Sequence, residues 1–349
     1  MLNNLTGLRF YTALWVFLYH FGVYIDGGEN FLLKKGYLGV DIFFILSGFI
    51  LTYAYYDQFF LTKITGKTYY NFILKRFAKI YPLQILTFIL VGILLYVGKY
   101  LFHQKDLIIR NDHIISNLLM VHAWNLNDAL SWNTHSWSLS DEWFAYLFLF
   151  VVSAFVVKVN KMIGKVLLSS IVVFFIVKWF RTDGFDLNNY TYNGLERIVP
   201  EFFLGVIVGL LRVDLQISKK AASVIFILSL ALLLFIAGID YHMDALCMIP
   251  FAGIIYSLSF NTIFDRGFNS KKLVYMGNIS FAFYMLQLTA FYLFKPVQNY
   301  MGQMNLPEYV SIALELLGLI AINLIMASTV YRYFEEPVRL FLVRKLSKR

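Results

Sequence analysis

The chain has 349 residues, 59% hydrophobic and 15% charged, with a mean hydropathy of +0.66, too few polar side chains to coat a water-soluble particle of this size. A single cysteine, Cys247, excludes an intrachain disulfide, a thiolate metal cluster and a Cys-x-x-Cys redox pair. The net charge of +9 would suit a nucleic-acid partner, but the basic residues gather in one set of loops, as in membrane proteins, so a lipid bilayer and no nucleic acid is expected.

Apolar windows long enough to cross about 30 Å of hydrocarbon fall at 6–24, 37–56, 80–100, 142–157, 163–180, 196–211, 221–239, 244–260, 273–294 and 309–331. They predict an all-α fold, a polytopic integral membrane helix bundle of about ten transmembrane helices. With Lys99, Lys165 and Lys178, near window ends, counted with the adjoining loops, the even-numbered loops and the C-terminal tail carry 20 of the 30 Lys and Arg, the odd-numbered loops 8, and Arg9 and Arg197 lie inside windows. Basic loops stay on the cytoplasmic side, so both termini are expected there. Asp240 and Asp244 flank a loop without basic residues, as suits an external hairpin. The first window lacks a basic leader and a cleavage site and reads as an uncleaved anchor. Residues 1–349 thus read as a single transmembrane domain with no soluble domain. The longest loop, 101–136, is external, and its apolar run 114–124 is too short to cross, which suits a re-entrant or interfacial segment.

Charged groups inside apolar windows are costly and call for a partner or a function. Arg9 and His20 are 11 residues apart, so they share one helix face roughly 16 Å apart. Taken alone, the pair also fits an arginine snorkelling to headgroups and a histidine hydrogen-bonded across helices. Glu142 and Arg197 fall at similar depth on the fourth and sixth windows. With His20 they make a constellation suited to a base, an orienting carboxylate and an oxyanion-stabilising cation. A first-turn carboxylate for Glu142, and ion pairing of Arg197 with Glu201 four residues on, are the structural alternatives. Asp41 reads as a helix-end residue. At the cytoplasmic start of the third window, Arg76 and Lys79 either obey the positive-inside rule or form a phosphate site. No Gly-rich phosphate loop, His-Glu-x-x-His motif or Gly-x-Ser-x-Gly elbow is present, and no metal is expected.

At these residues the chain resembles the membrane acyltransferase-3 family of bacterial O-acyltransferases. Arg9 through His20 matches the family's Arg-x10-His, and Gly36 through Asp41 with Ser47-Gly48-Phe49 its second-span signature. Ser136-Trp137-Ser138-Leu139-Ser140 with Glu142 is similar to Trp-Ser-Leu-Ser-Val-Glu. Arg197, Pro200-Glu201-Phe202, Gly205, Tyr331-Arg332 and Glu335-Glu336-Pro337 follow in order. Two positions depart: Arg76-x-x-Lys79 replaces Arg-x-x-Arg, and Ser280, Tyr284 and Gln287 stand where the family commonly ends Ser-x-x-x-Tyr-x-x-His in histidine.

The resemblance implies an enzyme, an acyltransferase for groups other than aminoacyl, in the inner (plasma) membrane. It would move an acyl group, by default acetyl, from cytoplasmic acyl-CoA (acetyl-CoA) to a hydroxyl of a cell-envelope or exported polysaccharide. On that reading Arg9, Arg76 and Lys79 bind the donor, His20 is the general base, Glu142 orients the acceptor and Arg197 stabilises the tetrahedral intermediate. A transporter or flippase of a lipid-linked saccharide is the competing class, since intramembrane His, Arg and Glu also line substrate pathways. A relative without catalysis, acting as a scaffold, is the third.

Overall fold

In the computed structural model, residues 2–24, 31–103, 108–182, 187, 194–239, 241–304 and 306–346 are described; Asp240 and part of the 101–136 loop lie outside them. Among the described residues, eleven longer helices form the bundle: α1 Asn3–Tyr24, α2 Lys35–Leu61, α3 Gly66–Leu101, α4 Thr134–Val159, α5 Lys161–Thr182, α6 Gly194–Asp214, α7 Lys219–Ile239, α8 Met248–Leu258, α9 Lys271–Met285, α10 Gln287–Met301 and α11 Glu308–Leu346.

Among the described residues, six of these helices are long and apolar enough to cross a membrane: α2, α3, α4, α5, α7 and α11. The pair α9 and α10, bent by 72° at Leu286, makes a seventh if counted as one span. The ninth apolar window runs across that bend. The helices α1 and α6, with 22 and 21 residues, have the length at 1.5 Å per residue but not the apolarity. Their polar groups are turned to the centre rather than to lipid: Arg197 and Glu201 of α6 and Thr12 of α1 are buried. The periphery is the reverse. Leu167, Phe174 and Phe180 of α5, Phe235 of α7 and Ile325 of α11 are exposed, the distribution a hydrocarbon solvent favours. The apolar window of α2 is 72% buried, against 22% for α5 and α11, so α2 is the most enclosed of the six.

Two glycines let α2 and α6 cross at close range. A Cβ on Gly48 would stand 2.1 Å from the Phe202 carbonyl oxygen, and one on Gly205 would stand 2.0 Å from that of Ile45. Small residues at such crossings let helix backbones pack where lipid supplies no hydrophobic drive. Gly205→Ala and Gly48→Ala should each cost about 1–3 kcal/mol, read as a lowered unfolding temperature in detergent. Gly238→Ala, where a Cβ meets nothing within 4 Å, is the neutral control. An unchanged temperature in Gly205→Ala would refute the close crossing.

Candidate active site

The helix α1 runs along α9, which brings His20 to the bend where α9 ends and α10 begins. The His20 Nδ1–H donates to Gln287 Oε1 at 2.8 Å. An amide oxygen only accepts, so the proton sits on Nδ1 and Nε2 keeps its lone pair in the neutral ring. The His20 ring stacks on that of His135, at the start of α4, with centroids 4.0 Å apart and planes 7° from parallel. The Tyr284 hydroxyl, one turn before the bend, donates to the His135 carbonyl oxygen at 2.8 Å and bonds Ser138 Oγ at 2.9 Å. Tyr284 also lies within electrostatic reach of Arg197, Asp141 and Glu142.

Glu142 sits on α4 just before a π turn, Ala145–Leu149. The hydroxyls of Ser47 on α2 and Tyr146 one turn on both donate to its Oε1. The Arg9 guanidinium lies in electrostatic reach of Glu142, Tyr146 and Arg76. Among the described residues Arg9 has no hydrogen-bond or ion-pair partner. The Arg76 Nη2–H donates to the Tyr55 hydroxyl at 3.3 Å, its Nε is buried without a partner, and its guanidinium lies 5.9 Å from the Tyr146 ring centre. Two guanidinium groups with free donors thus face one carboxylate inside the bundle. Like charges so placed favour an anionic guest.

Lys79, one turn beyond Arg76, is tied to the buried Glu335, carried on a π turn of α11, and stands 5.3 Å from the Phe281 ring centre. It is neutralised where Arg76 is not, so of the three groups expected to hold the donor the structure groups Arg9 with Arg76 and gives Lys79 a protein partner.

Arg197 is also committed. Its Nε and Nη2 donate to the two oxygens of Asp41, each at 2.7 Å, Nη2 reaches the Tyr37 carbonyl at 3.0 Å, and Arg197 and Asp41 are each 1% exposed. Its partner is therefore the helix-end aspartate and not Glu201. Glu201 lies within electrostatic reach of this pair and of Asp141. Among the described residues, no hydrogen bond or ion pair joins His20, Glu142 and Arg197. Tyr284 stands near the last two, and Tyr19 lies within reach of Arg197.

Ser136 and Ser140 of the Trp137 motif tie the preceding loop to α4. Ser140 Oγ donates to the Met120 carbonyl, the Ala123 N–H donates to Ser140 Oγ, and the Trp124 indole N–H donates to the Ser140 carbonyl. Ser136 Oγ bonds His122 Nε2 at 3.1 Å, and burial pushes the His122 imidazole down to about 4. These contacts pin the long loop, with its short helix Ile114–Leu118, against α4. His103, Met120, Asn125 and Trp132, all in that loop, have positive φ. Each such residue costs about 1–2 kcal/mol, so the surrounding contacts hold a defined shape there.

His135, Tyr284 and Gln287 were not assigned site roles from the sequence. A histidine beside the Ser136-Trp137 motif and a polar residue ending the ninth-span pattern were the available signals. A cavity of about 360 Å³ beside Phe174 and one of about 520 Å³ beside Arg212 share no lining residue with this group. Among the described residues, no cluster of three or more His, Cys, Asp or Glu is placed to hold a metal.

The fold and the site define a class: a multi-pass membrane protein whose ionisable groups face one another at the centre of a helix bundle. The acyltransferase domain family (Acyl_transf_3) matches residues 2–331, and the chain belongs to it. Acyltransferase MdmB of Streptomyces mycarofaciens is 33% identical over 159 residues, 42% of this chain and 38% of that protein. O-acetyltransferase OatA of Staphylococcus aureus (strain NCTC 8325 / PS 47) is 24% identical over 374 aligned positions, 97% of this chain and 57% of that protein. The chain spans about half the length of the curated relatives it matches. No solved structure matches it.

Proposed function

We propose that the protein is an O-acyltransferase that moves an acetyl group from cytoplasmic acetyl-CoA to a hydroxyl of a cell-envelope polysaccharide. The observation that carries this reading is the pair of guanidinium groups, Arg9 of α1 and Arg76 of α3, with free donors inside the bundle, and His20 three turns beyond Arg9 on α1, its Nδ1–H engaged by Gln287. Anion site and base lie roughly 16 Å apart along the helix, a span suited to a donor with a charged head and an extended arm. Family membership and the names of the relatives support acyl transfer.

In this reading all ten apolar segments cross the plasma membrane, with α1, α6 and α8 shielded from lipid by the other helices and both termini in the cytoplasm. Residues 108–133 cover the outer mouth. The CoA phosphates enter by Arg76 and Arg9, while Glu142 balances these cations and holds the Ser47 and Tyr146 hydroxyls. His20 Nε2 takes the proton of the acceptor hydroxyl as its oxygen attacks the thioester carbonyl. The tetrahedral intermediate collapses with cleavage of the C–S bond, and the CoA thiolate leaves with that proton.

The test is transfer of radiolabelled acetyl from acetyl-CoA into envelope glycan by membranes containing the protein. Arg9→Gln and Arg76→Gln should raise KM for acetyl-CoA about tenfold or more each, the scale of a lost charge-assisted hydrogen bond. Lys79→Gln should change KM less, because Glu335 occupies that ammonium. An equal rise at all three positions would put Lys79 in the phosphate site as well, an unchanged KM at Arg9 and Arg76 would place the phosphates elsewhere, and absence of any label transfer would favour transport or a non-catalytic scaffold.

A further inference from the structure

Gln287 stands where the sequence departs from the histidine commonly found at the end of the Ser-x-x-x-Tyr-x-x-His pattern. It is the first residue of α10 and fully buried. Its Oε1 accepts from His20 Nδ1 at 2.8 Å, and its Nε2 is buried with no hydrogen-bond partner. In a primary amide the nitrogen lies about 2.2 Å from the oxygen. The unused N–H donors therefore stand within about 5 Å of His20 Nδ1 and within about 7 Å of the basic Nε2, in a setting where an unpaired buried donor is costly. A ligand carbonyl brought to His20 would meet them.

We infer that Gln287 has two tasks at this site: through Oε1 it fixes the Nδ1–H tautomer of His20, and through Nε2 it donates to the carbonyl oxygen of the acyl donor as negative charge develops there. The inference rests on the acyl-transfer reading above. It supplies the oxyanion donor that the sequence sought in Arg197, whose guanidinium the structure commits to Asp41. It also explains why glutamine stands in for histidine. A neutral imidazole and a primary amide each present an acceptor on one side and an N–H donor on the other, so both can bond Nδ1–H of His20 and still offer a proton to the substrate. Lys79 does not share this equivalence with arginine, because an ammonium cannot present a guanidinium fork.

Two measurements separate this inference from the reading it rests on. The first needs no activity: in protein labelled with 15N-histidine, the imidazole shifts of His20, assigned by their loss in His20→Ala, should show Nδ1 protonated in the wild type. In Gln287→Met, which keeps the length but has neither acceptor nor donor, they should show the Nε2–H form or a mixture. An Nε2–H wild-type ring, or an Nδ1–H ring that persists in Gln287→Met, overturns the tautomer role. The second is kinetic: Gln287→Met should lower kcat about 10²-fold with KM for acetyl-CoA little changed, the scale of a lost oxyanion donor. Gln287→His should recover most of that loss. Wild-type kcat in Gln287→Met overturns the donor role, whereas a wild type without label transfer overturns the acyl-transfer reading and leaves the tautomer result standing.

Discussion

His20→Ala is expected to lower kcat for acetyl transfer by about 10²- to 10⁴-fold, the contribution of a positioned general base, while the protein still inserts and elutes as a single folded species. The side chain packs as an imidazole between Gln287 and His135. Its removal leaves Gln287 with both amide functions unpaired, but it leaves the α2/α6 crossing and the Arg197–Asp41 pair untouched. Loss of rate should therefore exceed any loss of stability. Label transfer at the wild-type rate in a normally inserted His20→Ala protein would refute the role given to His20. A rapid quench of the wild type adds a second distinction: acetyl label retained on the protein during turnover would mean that His20 carries the group covalently before passing it on.

Arg197→Met should destabilise the protein by about 3–5 kcal/mol, because it leaves a buried carboxylate without its counter-charge. Asp41 would lose both 2.7 Å hydrogen bonds, with Glu201 and Asp141 close by. The double variant Asp41→Leu/Arg197→Met removes both charges and should recover a large part of the loss, as apolar replacements of buried ion pairs often do. The pair joins α6 to α2 near one end of the crossing that Gly48 and Gly205 permit. Unfolding in detergent measures both variants. An Arg197→Met protein of unchanged stability with a kcat lowered 100-fold would instead restore Arg197 to the tetrahedral intermediate, the role its depth in the chain suggested.

Much of the architecture was legible along the chain because a bilayer imposes a one-dimensional constraint. Each apolar window overlaps a helix, the ninth window two helices across the bend at Leu286, and the placement of Arg9, His20, Glu142 and Arg197 within or beside windows marked them as groups that need partners. Identity of partner was not legible. Arg197 met Asp41 across helices rather than Glu201 on its own, and Lys79 met Glu335 some 256 residues away.

Length and apolarity alone single out six helices, or seven with the bent pair. The polar α1 and α6 are not among them because polarity that faces a bundle centre is indistinguishable, in a hydropathy window, from polarity that faces water. Local sequence thus settled the solvent, the helical elements and the residue types able to do chemistry, since each depends on neighbours within a turn or a window. The pairing of His20 with Gln287, the stacking of His135 on His20 and the grouping of Arg9 with Arg76 depended on the bend at Leu286 and on the helix crossings. Hydrogen-bond geometry between residues hundreds of positions apart exists only once the helices have packed.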